Sequence, residues 1–210
     1  MSRYAITDIH GCARTFQHLL GEIDFGREDE LFLLGDYIDR GPDSKGVLEY
    51  IWQLQGEGYA VRCLRGNHEQ MLIEALSHGR GAWDYSPRRR DRKQTLHWMS
   101  QLPYYLETPG YLLVHAGLSF EERDPLADQQ AMLWARDWET TLDRSWLGER
   151  IVVYGHTPRP ATEVAAEVAS MAERQLVCLD AGCAMHFPGM GTLAALNLDT
   201  REVRFLARLD

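Results

Sequence analysis

The chain has 210 residues, 45% of them hydrophobic and 25% charged, with a formal net charge of -9. That length and composition fit one sizeable globular domain able to fill a real core. The acidic balance argues against a general nucleic-acid binder, which needs a basic face, and no apolar run approaches the roughly 20 residues that a membrane helix requires.

Met1-Ser2-Arg3 leads straight into a strand without a signal peptide. The four cysteines, Cys12, Cys63, Cys178 and Cys183, show no Cys-x-x-Cys spacing. They read as buried free thiols, and the chain as cytoplasmic. Ala5-Ile6-Thr7 is the end of the first strand and delivers Asp8, Ile9 and His10. Phe16, Leu19, Leu20 and Ile23 then recur at helical spacing, which predicts a helix over 13–23 with His18 on its outer face. The second strand, 31–34, runs into Gly35-Asp36-Tyr37-Ile38-Asp39-Arg40-Gly41. Pro42-Asp43-Ser44 opens a helix whose apolar stripe is Val47, Leu48, Ile51 and Leu54, stopped by Gly56 and Gly58. A third strand, 59–64, leads to Asn67-His68 and a helix over 69–76. Strands alternating with helices in this way imply right-handed crossovers and an α/β sheet.

The next stretch carries the one dense basic cluster, Arg88 to Lys93, which reads as a solvated loop and helix end or, alternatively, as a positive rim that attracts phosphorylated substrates. A helix is predicted over 95–102, with His97 structural, and strands at 104–107 and 111–114, the latter ending in His115. Arg136 lies in a segment, 128–138, where its plain role is a surface ion pair. Strand 151–154 delivers His156. Segments 163–168, 176–180, 192–198 and 202–209 read as antiparallel β structure, so a second sheet should pack against the first. With no repeat and no linker, residues 1–210 are expected to form a single domain.

Five short β-prone runs therefore end in Asp, Asn or His. A carboxylate at the end of a buried strand costs several kcal/mol of desolvation unless a cation compensates it. In open α/β sheets, ligands bind in the crevice at the carboxyl ends of the strands. The pooled candidate ligands are Asp8, His10, Asp36, Asn67, His115 and His156. Mixed oxygen and imidazole donors favour manganese, iron or zinc over magnesium or calcium. Two divalent ions sharing a carboxylate, with Asp36 the natural bridge, could hold a hydroxide for in-line attack on phosphorus. Arg40 is placed to clamp phosphate oxygens. His68, beside Asn67, could protonate the leaving oxygen while Asp39 orients it.

The ordered set Asp8-Ile9-His10-Gly11, Gly35-Asp36-Tyr37-Ile38-Asp39-Arg40-Gly41, Gly66-Asn67-His68-Glu69, His115-Ala116-Gly117-Leu118 and Gly155-His156-Thr157 resembles the phosphoprotein phosphatase family of metallophosphoesterases, particularly its small bacterial and phage members. The resemblance implies a four-layer α/β sandwich of two sheets flanked by helices. It implies a dimetal centre, usually manganese-activated, with Asp8, His10 and Asp36 on one ion and Asp36, Asn67, His115 and His156 on the other. It makes Arg40 a phosphate clamp, His68 the general acid and Asp39 its partner, and Arg136 a second phosphate-binding arginine. Two positions depart from the pattern: Thr7 stands where the family usually has glycine, and Asp180-Ala181-Gly182-Cys183 alters an Asp-Thr-Gly stretch.

Three functions are compatible with these residues. The leading expectation is a phosphomonoesterase acting on phosphorylated Ser/Thr residues of proteins or peptides, with phosphotyrosine as a further substrate. The rival is a symmetrical dinucleoside tetraphosphate hydrolase, whose members commonly lack the Asp-Arg pair and read Gly-Asn-His-Asp. Asp39, Arg40 and Glu69 favour the protein phosphatase. A non-catalytic scaffold would have lost ligands or the acid, and none is lost here.

Overall fold

The computed structural model describes residues 1–79, 84–121 and 123–210. Its first sheet begins with three parallel strands, β1 (Arg3–Ile6), β2 (Glu30–Leu33) and β3 (Ala60–Cys63), joined by helices α1 (Ala13–Glu22) and α2 (Ser44–Gly56). Each helix matches its apolar stripe. Phe16, Leu19 and Leu20 are buried on α1, and Val47, Leu48, Ile51 and Leu54 on α2. Asp43 caps α2, its Oδ1 accepting the Gly46 amide at 2.8 Å.

After β3 come α3 (Asn67–Ser77) and α4 (Arg92–Ser100), then the hairpin of β4 (Tyr105–Thr108) and β5 (Tyr111–Val114). Helices α5 (Gln129–Trp134) and α6 (Arg144–Leu147) lead to β6 (Ile151–Tyr154). Helix α7 (Ala161–Arg174) follows, then β7 (Leu176–Cys178), β8 (Thr192–Asn197) and β9 (Val203–Ala207). The strand orders are β3-β2-β1-β8-β9 and β4-β5-β6-β7, each sheet mixing parallel and antiparallel pairs.

Alternation along the strands sorts side chains into layers, because successive residues face opposite sides of a sheet. From the β2 segment, Leu31 and Leu33 join the core beneath α1 and α2, whereas Phe32 and Leu34 meet Leu113, Val153 and Val177 of the second sheet. From β6, Ile151 and Val153 face that shared core, and Val152 and Tyr154 pack outward with Met132, Trp138 and Leu147. The result is helices, sheet, sheet, helices, as the α/β four-layer expectation holds.

Two expectations fail at the carboxyl-terminal end. Residues 163–168 are helical, inside α7, because Val164, Val168 and Met171 form a buried stripe on an alanine-rich segment. β7 is parallel to β6, and of these carboxyl-terminal segments β8 and β9 pair antiparallel, adding to the first sheet instead of founding a second one. The expected exposure of His18 and the burial of all four free cysteines are observed, and His97 is exposed on α4. Arg88, Arg89, Arg90, Arg92 and Lys93 are exposed, while residues 80–83 of the expected loop lie outside the described residues. No helix among the described residues is long and apolar enough to cross a membrane.

Candidate active site

The parallel strands end at one crevice. Asp8 and His10 follow β1, Asp36 to Arg40 follow β2, Asn67 and His68 open α3 after β3, and His115 and His156 follow β5 and β6. Six of these residues, Asp8, His10, Asp36, Asp39, Arg40 and His156, have φ between 46° and 69°. A non-glycine backbone in this region costs of order 1–3 kcal/mol, and such residues gather at functional sites. Close approach fixes two glycines beside them. A Cβ on Gly66 would lie 2.2 Å from Asp36 Oδ1, and one on Gly155 would lie 2.1 Å from Asp8 Oδ2.

Backbone carbonyls set the histidine tautomers. His10 Nδ1 donates to Ile38 O at 2.9 Å and His115 Nδ1 to Leu34 O at 2.9 Å, which leaves each Nε2 lone pair facing the crevice. His10 Nε2 is 3.3 Å from Asp36 Oδ2, and His115 Nε2 is 3.5 Å from Asp36 Oδ1. Asn67 Oδ1 lies 2.9 Å from His115 Nε2 and 3.0 Å from His156 Nδ1. Asp8 Oδ1 is 3.8 Å from His10 Nε2. The six expected ligands thus meet.

Burial, which disfavours the charged imidazole, holds His10 below its ordinary pKa despite Asp36 and Asp8. Burial and then the neighbouring His115 push His156 down to about 3. Burial would raise the Asp36 carboxyl, but His115, His10 and His68 together hold it below the ordinary range. His10 and His156 held neutral near an ionised Asp36 are protonation states that bind a divalent cation.

A cation also fits the donors left over. Among the described residues, Asp8 Oδ1, Asp36 Oδ2 and His156 Nε2 are buried without a hydrogen-bond partner, an arrangement that costs free energy unless a ligand engages them. Two triads, His10-Asp36-His68 and Asp36-His115-His156, have donor atoms within 4.8 Å of one another, and Asp36 belongs to both. That shared carboxylate is the arrangement two ions need.

His68 differs from the other three histidines. Its Nδ1 is 2.7 Å from Asp39 Oδ2, and its Nε2 is 3.9 Å from Asp36 Oδ2. Burial alone would lower its pKa, but the Asp39 hydrogen bond and the Asp36 charge outweigh it, and the net shift is upward. Asp39 is held in turn by the Tyr85 amide at 2.8 Å. Arg40 Nη1 lies 3.0 Å from His10 Nε2. A cavity of about 310 Å³ opens over this group, walled by Arg40, His68, Met71, Asp84, Trp134 and Arg136 among others. Arg136 is exposed, reaches Thr157 Oγ1 at 3.5 Å and lines the cavity, and among the described residues it forms no ion pair, contrary to its plain reading.

Thr7, the first departure from the motif pattern, donates to Asp8 Oδ2 at 2.5 Å and so orients that carboxylate. In the second departure, Asp180 is buried with Oδ1 accepting the Gly182 amide. Burial and the Asp8 charge push its carboxyl well above the usual range. Sequence reasoning missed the wall residues Asp84 and Trp134 and the Tyr85 amide that holds Asp39. Asp84 and Tyr85 come from a loop with no spacing signal. Trp134, 36% exposed with its ring 6.2 Å from that of His156, was visible only as the neighbour of Arg136.

The calcineurin-like phosphoesterase family profile matches residues 1–186. Over 125 residues the chain is 42% identical to a symmetrical bis(5'-nucleosyl)-tetraphosphatase of Chromobacterium violaceum, covering 56% of this chain and 44% of that protein. A protein of the same name from Vibrio cholerae is 31% identical over 163 residues, covering 70% and 57%. The chain therefore spans about half the length of the curated relatives it matches. A solved protein serine/threonine phosphatase from Saccharomyces cerevisiae shares the fold, with a TM-score of 0.71 at 17% identity over 100% of this chain and 81% of that one.

The two tetraphosphatase relatives overturn the expectation of a protein phosphatase with a phosphorylated protein or peptide substrate. The structure explains why Asp39, Arg40 and Glu69 misled. Glu69 is fully buried, its oxygens accepting the amides of Asp36, Tyr37 and Gly66 at 2.8 to 2.9 Å, so it braces the β2 tip and touches no substrate. Asp39 is hydrogen-bonded to His68 and Arg40 lies against His10, contacts that do not depend on what group a phosphate carries. With its strand-tip donors, its shared carboxylate and its matching profile, the chain belongs to the calcineurin-like phosphoesterases and is a metallophosphoesterase hydrolase.

Proposed function

We propose that this chain, acting as one cytoplasmic domain over residues 1–210, hydrolyses dinucleoside tetraphosphates symmetrically to two nucleoside diphosphates. The observation that carries the reading is the pair of relatives of that name at 42% and 31% identity, which match 56% and 70% of this chain. The residues fit the chemistry. Asp8, His10 and Asp36 would hold one divalent ion and Asp36, Asn67, His115 and His156 a second, with manganese the metal we favour. When bound, such ions supply an activated water and neutralise charge on the phosphoryl oxygens.

The chain's own groups do the rest. Ile38 and Leu34 carbonyls fix His10 and His115 in the tautomer that offers Nε2. Arg40 and Arg136, on the walls of one cavity, bind the oxygens of the reacting phosphate and its neighbours, because a guanidinium matches their planar spacing. His68 carries its proton on Nε2 toward the leaving diphosphate oxygen, and Asp39 holds the Nδ1 hydrogen so that the ring keeps this direction. Burial of the centre keeps bulk water from screening these charges.

The test is product analysis. The full chain with added manganese is expected to convert diadenosine tetraphosphate to ADP as its sole nucleotide product, faster than it releases phosphate from a phosphoseryl peptide. Formation of AMP and ATP, or preference for the peptide, would overturn the reading.

A further inference from the structure

A second cavity, of about 400 Å³, adjoins the phosphate cavity, and Arg136 lines both. Its walls come from the loop after His115, from α5 and from the segment after it: Phe120, Ala131, Ala135, Trp138 and Thr141 surround it. They are tied to the centre. The Ala116 amide donates to Met132 O at 2.8 Å, and Trp138 Nε1 donates to Ala116 O at 3.0 Å, one residue from His115.

The charge balance of the two cavities differs. The phosphate cavity sets two arginines against Asp84, whereas in the second Glu121 and Asp137 stand against Arg136, the residue the two share. Carboxylates repel phosphate but accept hydrogen bonds from an exocyclic amine, and an aromatic ring offers a face on which a base can stack. Phe120 is half-buried, its ring braced edge-on by Trp146 at 5.7 Å and 76°. A larger cavity of about 640 Å³ lies at the β8–β9 edge but shares no lining residue with the phosphate cavity.

We propose that the cavity between Phe120 and α5 is a nucleoside subsite. It takes an amino-bearing base, such as adenine, and its ribose, while Arg136 at the junction holds the attached phosphates. This rests on the dinucleotide reading above for its substrate, yet it makes a claim about binding that can be tested without turnover. It also accounts for a preference that the metal ligands cannot supply, since those see only phosphate.

The experiment is calorimetric titration of the manganese-loaded full chain with ADP and, separately, with inorganic pyrophosphate. ADP is expected to bind about tenfold or more tightly than pyrophosphate, the scale of one stacked base. Phe120→Ala should bring that ratio close to one, and Ala131→Leu, which fills the cavity from the helix side, should do the same if the first variant fails to fold. Equal affinities in the unmodified chain, or a ratio that survives both substitutions, would overturn the subsite. A chain that binds ADP through Phe120 but leaves diadenosine tetraphosphate intact would sink the proposed reaction and keep the subsite. Cleavage to ADP with an unaltered ratio would do the reverse.

Discussion

Two clusters of charge among the described residues are built differently, one half-buried beside β6 and one buried at the strand tips. Beside β6, Arg159 bridges Glu139 and Glu167, Tyr154 donates to Glu139 at 2.6 Å, Arg174 lies 3.4 Å from Glu167, and the Cys178 amide donates to Glu167 at 2.9 Å. Among the described residues no buried side-chain nitrogen or oxygen of this group is left unpartnered, and its backbones avoid the left-handed region. At the strand tips, three buried donor atoms have no partner and six residues have positive φ. The first cluster closes on itself and holds β6, α7 and β7 together. The second is open, and its free energy is recovered only when a cation and a phosphate arrive.

Four experiments probe that contrast, from the largest effect downward. Stripping the protein with a chelator, or replacing Asp36 with Asn, should lower diadenosine tetraphosphate hydrolysis by about three orders of magnitude, since ions supply several kcal/mol of charge stabilisation at 1.36 kcal/mol per tenfold. Added metal should restore the stripped chain but not the variant, and activity indifferent to both would erase the distinction. His68→Asn should reduce kcat by about 10²–10⁴-fold with metal content unchanged, as measured by steady-state kinetics beside elemental analysis. If metal is lost instead, His68 moves from acid to ligand, as its place in one of the two triads would allow. Arg40→Ala should lower kcat/KM by about 10–150-fold, the loss of a charge-assisted hydrogen bond, and weaken phosphate inhibition as well. Glu167→Gln, in the closed cluster, should cost about 1–3 kcal/mol in urea denaturation, between the exposed and buried limits, while kcat stays within about twofold. A kcat loss as large as that of His68→Asn would mean the two clusters are not separate.

The open cluster was readable in the chain because each ligand sits at the end of a short β-prone run, a local pattern that survives without knowledge of the fold. The closed cluster was not. Arg159, Glu139 and Glu167 come from a loop, a 3-10 turn and α7, and α7 itself reads as a strand over 163–168, where six residues are too few to separate an alternating pattern from a helical stripe. The direction of β7 depends on its partner across the sheet, which local sequence does not encode. Substrate class escaped for a related reason. Asp39 grips His68 and Arg40 lies against His10 whatever a phosphate carries, Glu69 grips backbone amides, and the walls proposed to tell a nucleoside from a peptide arrive from the loop holding Phe120 and from α5 with Trp134.

The most direct measurement is a manganese titration of the chelator-treated full chain, followed by calorimetry or elemental analysis. Two ions per chain are expected, falling to one or none in Asp36→Asn, because the shared carboxylate serves both positions. A chain that takes up no ion, or an Asp36→Asn variant that still binds two with unchanged affinity, would contradict a centre organised around that carboxylate.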